Sequence, residues 1–451
     1  MRRVLRIAVL GFAVPLFALP VIASDSRAEG NYKVIYSFQG GSDGEASSGL
    51  TVDSEGNLYG TTYTGGAASG CNAGCGTVLK LERVGEGWKK RVLYSFPGGA
   101  DGYYPSTGLV FDRDGNLYGT AAGGTHSQGI VFKLSPTSKG EWKETVIHNF
   151  SFFEDEGGVA GDPVFDGNGN VYLATVSGGG RGSCWGEGPC GAVLELIPQA
   201  NGTWKESTLH TFAGAPGGGN PSSRVILDPA GNVYGATEIG GAGSCRPSID
   251  NYRMNDGCGV IYKLTPPESA GKWTYSVAYS FVRGGGHSAY PSGGLVFDAA
   301  GNLYGTSLRG GNGYGALFEL HPRADGSWWQ DNPHLFYGPC GWHETCSSPD
   351  GLEDGNAFEP IGNLVMDKEG HLFGVTPWGG ATDNGVVFEV QRQKNGWKEK
   401  ILHNFSGSGD GSTPTAGLVL GLEGHLYGTT PFGGTGKACN QGCGTVYEVI
   451  P

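Results

Sequence analysis

The sequence predicts an all-β protein, a seven-bladed β-propeller of four-stranded antiparallel blades, and three observations support this. Gly supplies 85 of the 451 residues and Pro another 24, and both residue types disfavour long helices. The chain is nevertheless 38% hydrophobic and 11% aromatic, which is richer in core-forming residues than a disordered chain. The third observation is a sevenfold repeat of strand-length segments bounded by turn residues.

The repeat centres on a Gly-Asn-Leu-Tyr-type tetrapeptide that recurs at intervals of 54 to 70 residues. An apolar run precedes each copy, ending in Asp in six of the seven units, and a Gly-Gly pair and two further strands follow, the second usually led by Trp. Four strands per unit are typical of propeller blades, whereas the repeats of a β-solenoid are shorter. The copies begin at Gly56, Gly115, Gly169, Gly231, Gly301, Gly370 and Gly424.

The two ends of the repeat array indicate how the ring closes. The seventh unit stops after its third strand, at Pro451, and lacks the Trp-led fourth strand. Residues 34–38 match residues 92–96, which belong to a fourth strand. The N-terminal strand is therefore predicted to complete the last blade, which closes the ring and covers its edge.

The N-terminus has the pattern of a secretory signal. Arg2, Arg3 and Arg6 precede an almost wholly apolar run over residues 7–22, and small residues follow. We expect a signal peptide over residues 1–23, with cleavage as late as residue 28, and one propeller domain over residues 31–451. No later apolar run approaches ~18 residues, so no transmembrane segment is expected in the mature chain. The predicted location is secreted, periplasmic or on the cell-envelope exterior.

The cysteines support export. Ten Cys residues form five close pairs, and an even count in local pairs downstream of a signal predicts disulfides. Metal binding by these pairs is disfavoured because no His lies at ligand spacing beside any of them. The pairs are Cys71/Cys75, Cys184/Cys190, Cys245/Cys258, Cys340/Cys346 and Cys439/Cys443.

The whole unit can be compared with a known family. An apolar run, D-x-x-G-N-L-Y-G-T-T, Gly-Gly, G-T-V-F and W-K-x-x-V-L-H-x-F resemble the tandem repeat of the GloVer family, exported bacterial "choice-of-anchor" proteins. The resemblance covers residues 31–451 and implies export but no particular activity. Family members usually carry a C-terminal anchor, whereas here Pro451 ends the last strand. NHL and kelch propellers are similar at a lower level of specificity.

The charge of the chain and its motifs exclude several classes of partner and ligand. The net charge of −13 at pH 7 disfavours nucleic acid and anionic membranes, and we expect a monomer. The Asp-x-x-Gly-Asn box lacks consistent oxygen ligands at alternate positions, so a hairpin turn explains it better than a calcium loop. We expect no cofactor and no bound metal, although the sequence leaves open a structural divalent cation in the channel.

Most histidines follow the repeat. His148, His210, His334 and His403 share one position that holds Tyr36, Tyr94 and Tyr279 in other units, which predicts a packing or hydrogen-bonding role. Four others fall outside this pattern and belong to different units: His126, His287, His321 and His343.

The topology predicts where a ligand would bind. We label the strands of each blade a to d; the short a–b and c–d turns form one face, the turn face. The b–c loops and d–a connections form the other, the loop face, and they carry the cysteines and several aromatic residues. Loops on a rigid scaffold favour binding, and aromatics suit sugar or peptide ligands. The predicted ligand is an extracellular saccharide, peptide or protein, and the candidate binding residues are Trp185, Trp342, Trp378, Tyr103, Tyr104, Tyr290 and Phe432.

Two alternatives remain open. One is a propeller enzyme of lyase, lactonase or glycosidase type, which needs two carboxylates ~5–10 Å apart or a bound divalent ion. The other is a structural cell-envelope protein. No catalytic residue is identified, and a binding module is favoured over an enzyme. The acidic residues that the enzyme hypothesis would use are Asp43, Glu45, Asp101, Asp350, Glu353, Asp354 and Asp410, of which Asp43, Asp101 and Asp410 recur in a turn motif.

Overall fold

The chain forms seven antiparallel sheets arranged as the blades of a propeller. A computed structural model describes residues 31–45, 49–85, 87–151, 158–180, 184, 188–243, 245, 257–269, 271–282, 288–310, 313–337 and 357–451. Within these residues the secondary structure is strand, apart from three short 3-10 turns at Gly41–Asp43, Gly99–Asp101 and Leu422–Gly424. The predicted fold is confirmed. None of the described residues belongs to a helix long and apolar enough to span a membrane.

The blades follow one another along the chain, and each runs from strand a at the channel to strand d at the periphery. Blades 1 to 3 comprise, in order, Thr51–Val52, Leu58–Thr62, Thr77–Val84 and Gly87–Ser95; Tyr103–Pro105 with Val110–Phe111, Leu117–Ala122, Ile130–Pro136 and Trp142–Asn149; and Val164–Phe165, Val171–Thr175, Ala192–Pro198 and Trp204–Thr211. In blade 2, strand a is therefore split into two short pieces.

The remaining blades repeat this plan, and strand a is also split in blades 4 and 5. They comprise Gly219–Pro221 with Ile226–Leu227, Val233–Ile239, Val260–Thr265 and Thr274–Ser280; Ser288–Pro291 with Val296–Phe297, Leu303–Gly310, Ala316–Pro322 and Trp328–Leu335; Ile361–Met366, Leu372–Thr376, Val386–Gln393 and Gly396–Asn404; and Val419–Leu420, Leu426–Thr430, Thr445–Ile450 and Asn31–Ser37.

The N-terminal strand closes the ring as predicted. Asn31–Ser37 pairs antiparallel with Thr445–Ile450, so that it serves as strand d of blade 7. The first and last parts of the described chain thus share one sheet, and the pairing covers the outer edge of strand c.

The core lies between the blades. Seven clusters of buried side chains each combine residues of two adjacent blades, including blades 7 and 1. Strand b contributes a Gly to this packing: a Cβ on Gly119 would lie 2.7 Å from Cζ of Phe132 on strand c. The recurring Leu-Tyr-Gly sequence therefore makes room for a large aromatic side chain from the neighbouring strand.

The Asp-x-x-Gly-Asn box is a hairpin turn. In blade 2, Oδ1 of Asp112 accepts hydrogen bonds of 2.9 Å each from the backbone N–H groups of Asp114 and Asn116. Its Oδ2 accepts Nδ2 of Asn116 at 2.7 Å and the hydroxyl of Tyr118 at 3.1 Å. The Asp thereby fixes the turn and the aromatic residue of strand b, a structural role that fits the sequence prediction.

At the loop face, a Gly of one blade packs closely against a Pro of the next blade. Gly76 leads strand c of blade 1 with φ +96°, and a Cβ there would lie 2.5 Å from Cδ of Pro105 in blade 2. The N–H of Tyr104 donates to the carbonyl of Cys75 at 2.8 Å across the same boundary. Four more boundaries place a Pro against the equivalent Gly: Gly191 with Pro221, Gly259 with Pro291, Gly315 with Pro360, and Gly385 with Pro414.

The outer strands are joined by a second ring of contacts. The Tyr or His of strand d in one blade meets a residue of strand d in the next blade, and the chemistry changes from boundary to boundary. The pairs are Tyr36 with Lys90, Tyr94 with Glu144, His148 with Glu206, His210 with Tyr275, Tyr279 with Gln330, His334 with Glu399, and His403 with Tyr32. The predicted packing or hydrogen-bonding role of this position is confirmed.

Four of the five predicted disulfides form, and they fit an oxidising compartment. They are Cys71–Cys75, Cys184–Cys190, Cys245–Cys258 and Cys439–Cys443, all within b–c loops. The fifth predicted pair, Cys340 and Cys346, lies outside the described residues.

Candidate functional site

A ring of strained residues surrounds the channel where it opens onto the loop face. Each has a left-handed backbone, with φ between 51° and 56°, and immediately precedes a Pro. A residue before Pro normally prefers an extended backbone, so this conformation is costly and must be held by contacts. The contact is a hydrogen bond of 2.8 to 2.9 Å, which the backbone N–H of each residue donates to a backbone carbonyl of the preceding blade. This mouth ring consists of Tyr104, Asn220, Tyr290, Glu359 and Thr413.

Three tyrosines form a cluster beside the mouth ring. The ring of Tyr104 stacks on that of Tyr63, with centroids 4.6 Å apart and planes at 17°. Tyr103 meets Tyr104 edge to face at 5.1 Å. Tyr63 is 45% exposed, and the Cys71–Cys75 disulfide restrains the loop that follows it. This tyrosine cluster presents an aromatic surface to solvent on a covalently restrained scaffold.

The other predicted aromatic residues lie on separate blades. Tyr290 belongs to the mouth ring in blade 5. Trp378 and Phe432, which are 43% and 40% exposed, precede the Gly-Gly pairs of blades 6 and 7. The structure therefore brings Tyr103 and Tyr104 together with Tyr63. Trp185 and Trp342 lie outside the described residues.

A small cavity opens near the tyrosine cluster. Its volume is about 270 Å³, and it lies where blade 2 meets the start of blade 3. Ser106 contributes to its wall two residues after Tyr104 on strand a. Hydroxyl and amide groups line much of it, so it offers hydrogen bonds beside an aromatic surface. The polar side chains lining it are Ser106, Thr120, Ser127, Gln128 and Ser177.

Polar side chains meet between opposite blades in the channel. One position close to the strand a residues that pair with strand b is Gly in four units, at Gly49, Gly108, Gly294 and Gly417, but Asp162, Arg224 and Asn363 in the other three. Oδ1 of Asp162 accepts the N–H of Gly108 at 2.6 Å, and its Oδ2 accepts Nδ2 of Asn363 at 3.3 Å. The second bond joins blades 3 and 6. Nε of Arg224 is buried and has no hydrogen-bond partner among the described residues.

Two of the acidic candidates have structural partners. Asp43 accepts the N–H of Gln39 and the hydroxyl of Tyr36 at 2.8 Å each, and Nζ of Lys90 at 2.7 Å. Burial disfavours its ionised form, but these hydrogen bonds outweigh burial and lower the pKa of Asp43. Asp43 therefore stabilises the turn in the d–a connection, as its recurrence in the sequence indicated.

Asp410 occupies the same position in the connection after blade 6. It accepts the N–H of Ser406 at 2.9 Å and lies 3.2 Å from Nε2 of His403. Burial again opposes ionisation, and the bonds from Ser406 prevail and lower the pKa of Asp410. Asp350, Glu353 and Asp354 lie outside the described residues.

Sequence reasoning missed three features of this site. Tyr63, the mouth ring as a set, and the polar channel position were not singled out. Signals existed for the last two, because a residue followed by Pro recurs in five units and a Gly is replaced in three. Tyr63 has no counterpart aromatic in the other units, so only the structure connects it to Tyr104.

Solved structures with a similar fold include several enzymes. A fungal alcohol oxidase of the AA5 family, solved with copper, has a TM-score of 0.54 at 14% identity and covers 94% of this chain and 77% of its own. The PQQ domain of a pyranose dehydrogenase from Coprinopsis cinerea has a TM-score of 0.43 at 12% identity, covering 94% and 97%. An oxidoreductase (glucose dehydrogenase) from Thermus thermophilus has a TM-score of 0.41 at 16% identity, and the match covers 77% of this chain and 96% of that one. At these identities the first shows the fold alone, and the two lower scores add nothing to it.

No curated protein matches the chain. A family model for the Gloeobacter/Verrucomicrobia repeat matches residues 20–186 and 140–330, together more than half of the chain. The match covers the repeated unit on which the resemblance to GloVer proteins was based. The chain therefore belongs to the Gloeobacter/Verrucomicrobia repeat family.

Proposed function

We propose that this propeller is an exported binding module whose loop face binds an extracellular saccharide. The observation that supports this best is the tyrosine cluster. The exposed ring of Tyr63, beside a loop restrained by a disulfide, stacks on the half-buried ring of Tyr104 from the next blade. Flat apolar ring faces pack against the C–H faces of sugars. A nearby cavity lined by hydroxyl and amide groups supplies hydrogen bonds for the sugar hydroxyls.

The strained backbone adds a second line of support. Tyr104 is held at φ 51° before Pro105 by its bond to the carbonyl of Cys75. Such strain is concentrated at functional sites, where a fixed orientation is useful. An aromatic platform fixed before the ligand arrives loses little side-chain entropy on binding.

Export is supported by the disulfides and by the sequence. Four short-range disulfides fit an oxidising compartment, and the predicted signal peptide would deliver the chain there. We place the protein outside the cytoplasm, as a secreted, periplasmic or outer-surface protein with a mature domain over residues 31–451.

The described residues offer no comparable support for the enzyme alternatives. Asp43 and Asp410 are engaged in turns, and Asp162 bonds Gly108 and Asn363 in the channel. Within the described part of the chain, one group of three His, Cys, Asp or Glu residues comes together, and it lies on the turn face of blade 5.

The test is a binding screen with the mature protein. Soluble polysaccharides are titrated by affinity electrophoresis and calorimetry, and Tyr63→Ala is expected to weaken the best ligand at least tenfold. Trp329→Ala is the matched control, since Trp329 is 40% exposed but follows the c–d turn of blade 5. Equal loss in both variants would show that the loop face is not the site. Binding of peptides but no saccharide would refute the saccharide assignment.

A further inference from the structure

Blade 5 carries a group of potential metal ligands on the turn face, away from the proposed binding surface. Glu319 and His321 lie two residues apart on strand c, and Asp331 lies directly opposite Glu319 on strand d. One ligand atom from each residue lies within 4.8 Å of the others. The Glu319 side chain is fully buried, whereas Asp331 is exposed, so the group runs from the interior to solvent.

The orientation of His321 is fixed by its neighbours. Nδ2 of Asn302 donates to Oδ2 of Asp298 at 2.8 Å, so the amide oxygen of Asn302 is the atom that faces His321. Nδ1 of His321 lies 3.1 Å from that oxygen and must donate to it. In the neutral imidazole, Nε2 therefore carries the lone pair.

This nitrogen lies close to another acceptor, a carboxylate oxygen of Glu319. Nε2 of His321 is buried, has no hydrogen-bond partner in the described part of the chain, and lies 3.6 Å from Oε2 of Glu319. Two buried acceptors facing one another are unfavourable unless a proton or a cation lies between them. The nearby exposed carboxylate of Asp331 adds a further negative group to the same space.

We propose that Glu319, His321 and Asp331 bind a divalent transition-metal ion of the zinc type. One imidazole and two carboxylates are suitable Zn²⁺ ligands, with open positions left for water. Bonds of about 2.0 Å to a tetrahedral ion place ligand atoms roughly 3.3 Å apart, close to the 3.6 Å between Glu319 and His321. Asn302 then acts as the acceptor that orients a metal-binding His through its other nitrogen.

The repeat provides an internal comparison. Four units carry Glu at this strand-c position: Glu195, Glu319, Glu389 and Glu448. Blade 6 has Gln391 where blade 5 has His321, and Lys400 where blade 5 has Asp331. The fold therefore forms without the His and Asp of blade 5, and their presence calls for another explanation than packing of the unit.

One neighbouring cation competes for the same carboxylate. Nη2 of Arg392, from blade 6, lies 3.2 and 3.1 Å from the two oxygens of Glu319. The Arg392 side chain is 59% exposed, so it can move outward as the metal enters. A metal ion must share or displace this contact, and we therefore expect modest rather than structural-zinc affinity.

The test is calorimetric titration of chelator-treated mature protein with ZnCl₂. We expect one Zn²⁺ per chain, and at least tenfold weaker binding in His321→Ala and in Asp331→Asn. Gln391→Ala, the equivalent position of blade 6, is the control and should bind as the wild type does. A thermal melt with and without Zn²⁺ gives an independent readout, since bound metal should raise the melting temperature of the wild type but not of the two binding-site variants.

Three outcomes would overturn the proposal. They are no Zn²⁺ uptake by the wild type, unchanged affinity in Asp331→Asn, and equal loss in Gln391→Ala. Should His321→Ala fail to fold, Asp331→Asn still decides, because the Asp331 side chain is exposed and its replacement is isosteric.

Discussion

The ring of Tyr32 lies flat against the imidazole of His403, with centroids 3.6 Å apart and planes at 8°. Tyr32 belongs to the N-terminal strand of blade 7, and His403 to strand d of blade 6. The closing strand is thus held twice, by its pairing with strand c of its own blade and by stacking on the preceding blade. Ring closure depends on side-chain packing as well as on backbone hydrogen bonds.

Tyr32→Ala tests this second contact. Loss of a half-buried aromatic side chain should lower the free energy of unfolding by about 2–4 kcal/mol, measured by urea denaturation. Lys33→Ala lies on the same strand with an exposed side chain and should cost far less. Similar losses in the two variants would show that stacking contributes little to closure.

Glu144 should make stability fall as the pH rises towards neutrality. Burial, and then repulsion by Asp101, raise the pKa of Glu144 to about 7, against an unfolded value near 4.5. The folded state therefore holds the proton to higher pH, and stability declines as pH rises from about 4.5 to 7. Glu144→Gln should have a higher unfolding free energy than the wild type at pH 8 and the same unfolding free energy at pH 4. Urea denaturation at both pH values measures this. Glu141→Gln, at an exposed position, should behave as the wild type, and equal gains in both variants would contradict the assignment.

His210 should make stability fall on the acid side. Burial lowers the pKa of His210 to about 4, against ~6.5 when unfolded. As pH falls the unfolded chain takes up this proton first, so stability declines between about pH 6.5 and 4. His210→Tyr places there the residue that three other units carry, and its unfolding free energy should drop less between pH 7 and 5. His126→Asn, at an exposed site, should leave the wild-type drop unchanged; a similar reduction there would argue against His210.

The contribution of the Gly–Pro contact between blades to stability can be separated from the cost of a left-handed backbone. Gly115 has φ +79°, and a Cβ there would meet no described atom within 4 Å, whereas Gly76 has φ +96° with Pro105 at 2.5 Å. Gly115→Ala should cost about 1–2 kcal/mol from backbone strain alone. Gly76→Ala should cost several kcal/mol more or prevent folding, as judged by denaturation and circular dichroism. Equal costs would mean that the blades separate without penalty at this boundary.

The disulfides predict a thiol count. Eight of the ten cysteines are paired in the described loops, so denatured, unreduced mature protein should show no more than two free thiols. Reduction should raise the count to ten in the same assay. Ten thiols before reduction would remove the evidence for an oxidising compartment.

The architecture was predictable because each blade repeats its signals. The Asp-x-x-Gly-Asn turn, the Gly-Gly pair and the match of residues 34–38 to residues 92–96 together predicted the blade count and the closure that pairing of Asn31–Ser37 confirms. These are local preferences of turns and strands, and local preference agrees with the fold at every one of these positions.

The site was less predictable because it depends on contacts between blades. Tyr104 adopts a left-handed backbone before Pro105, against its local preference, because the carbonyl of Cys75 accepts its N–H. The pairing of Tyr63 with Tyr104, and of Asp162 with Asn363 across the channel, likewise joins residues distant in sequence. No pattern within a single unit contains that information.

The changing chemistry of the strand-d ring has a consequence for assembly. Seven units of nearly the same sequence could in principle dock in the wrong order, a known failure of repeat proteins. Consecutive boundaries instead differ in their match: a cation between Tyr36 and Asp43, a carboxylate beside His148, a second ring against His210, an amide on Tyr279. A blade that met a neighbour of different chemistry would lose its match and leave polar groups unpaired. The outer strands thus help each blade to distinguish its own neighbour from many of the wrong ones, which reduces the ambiguity that sequence repetition brings to folding.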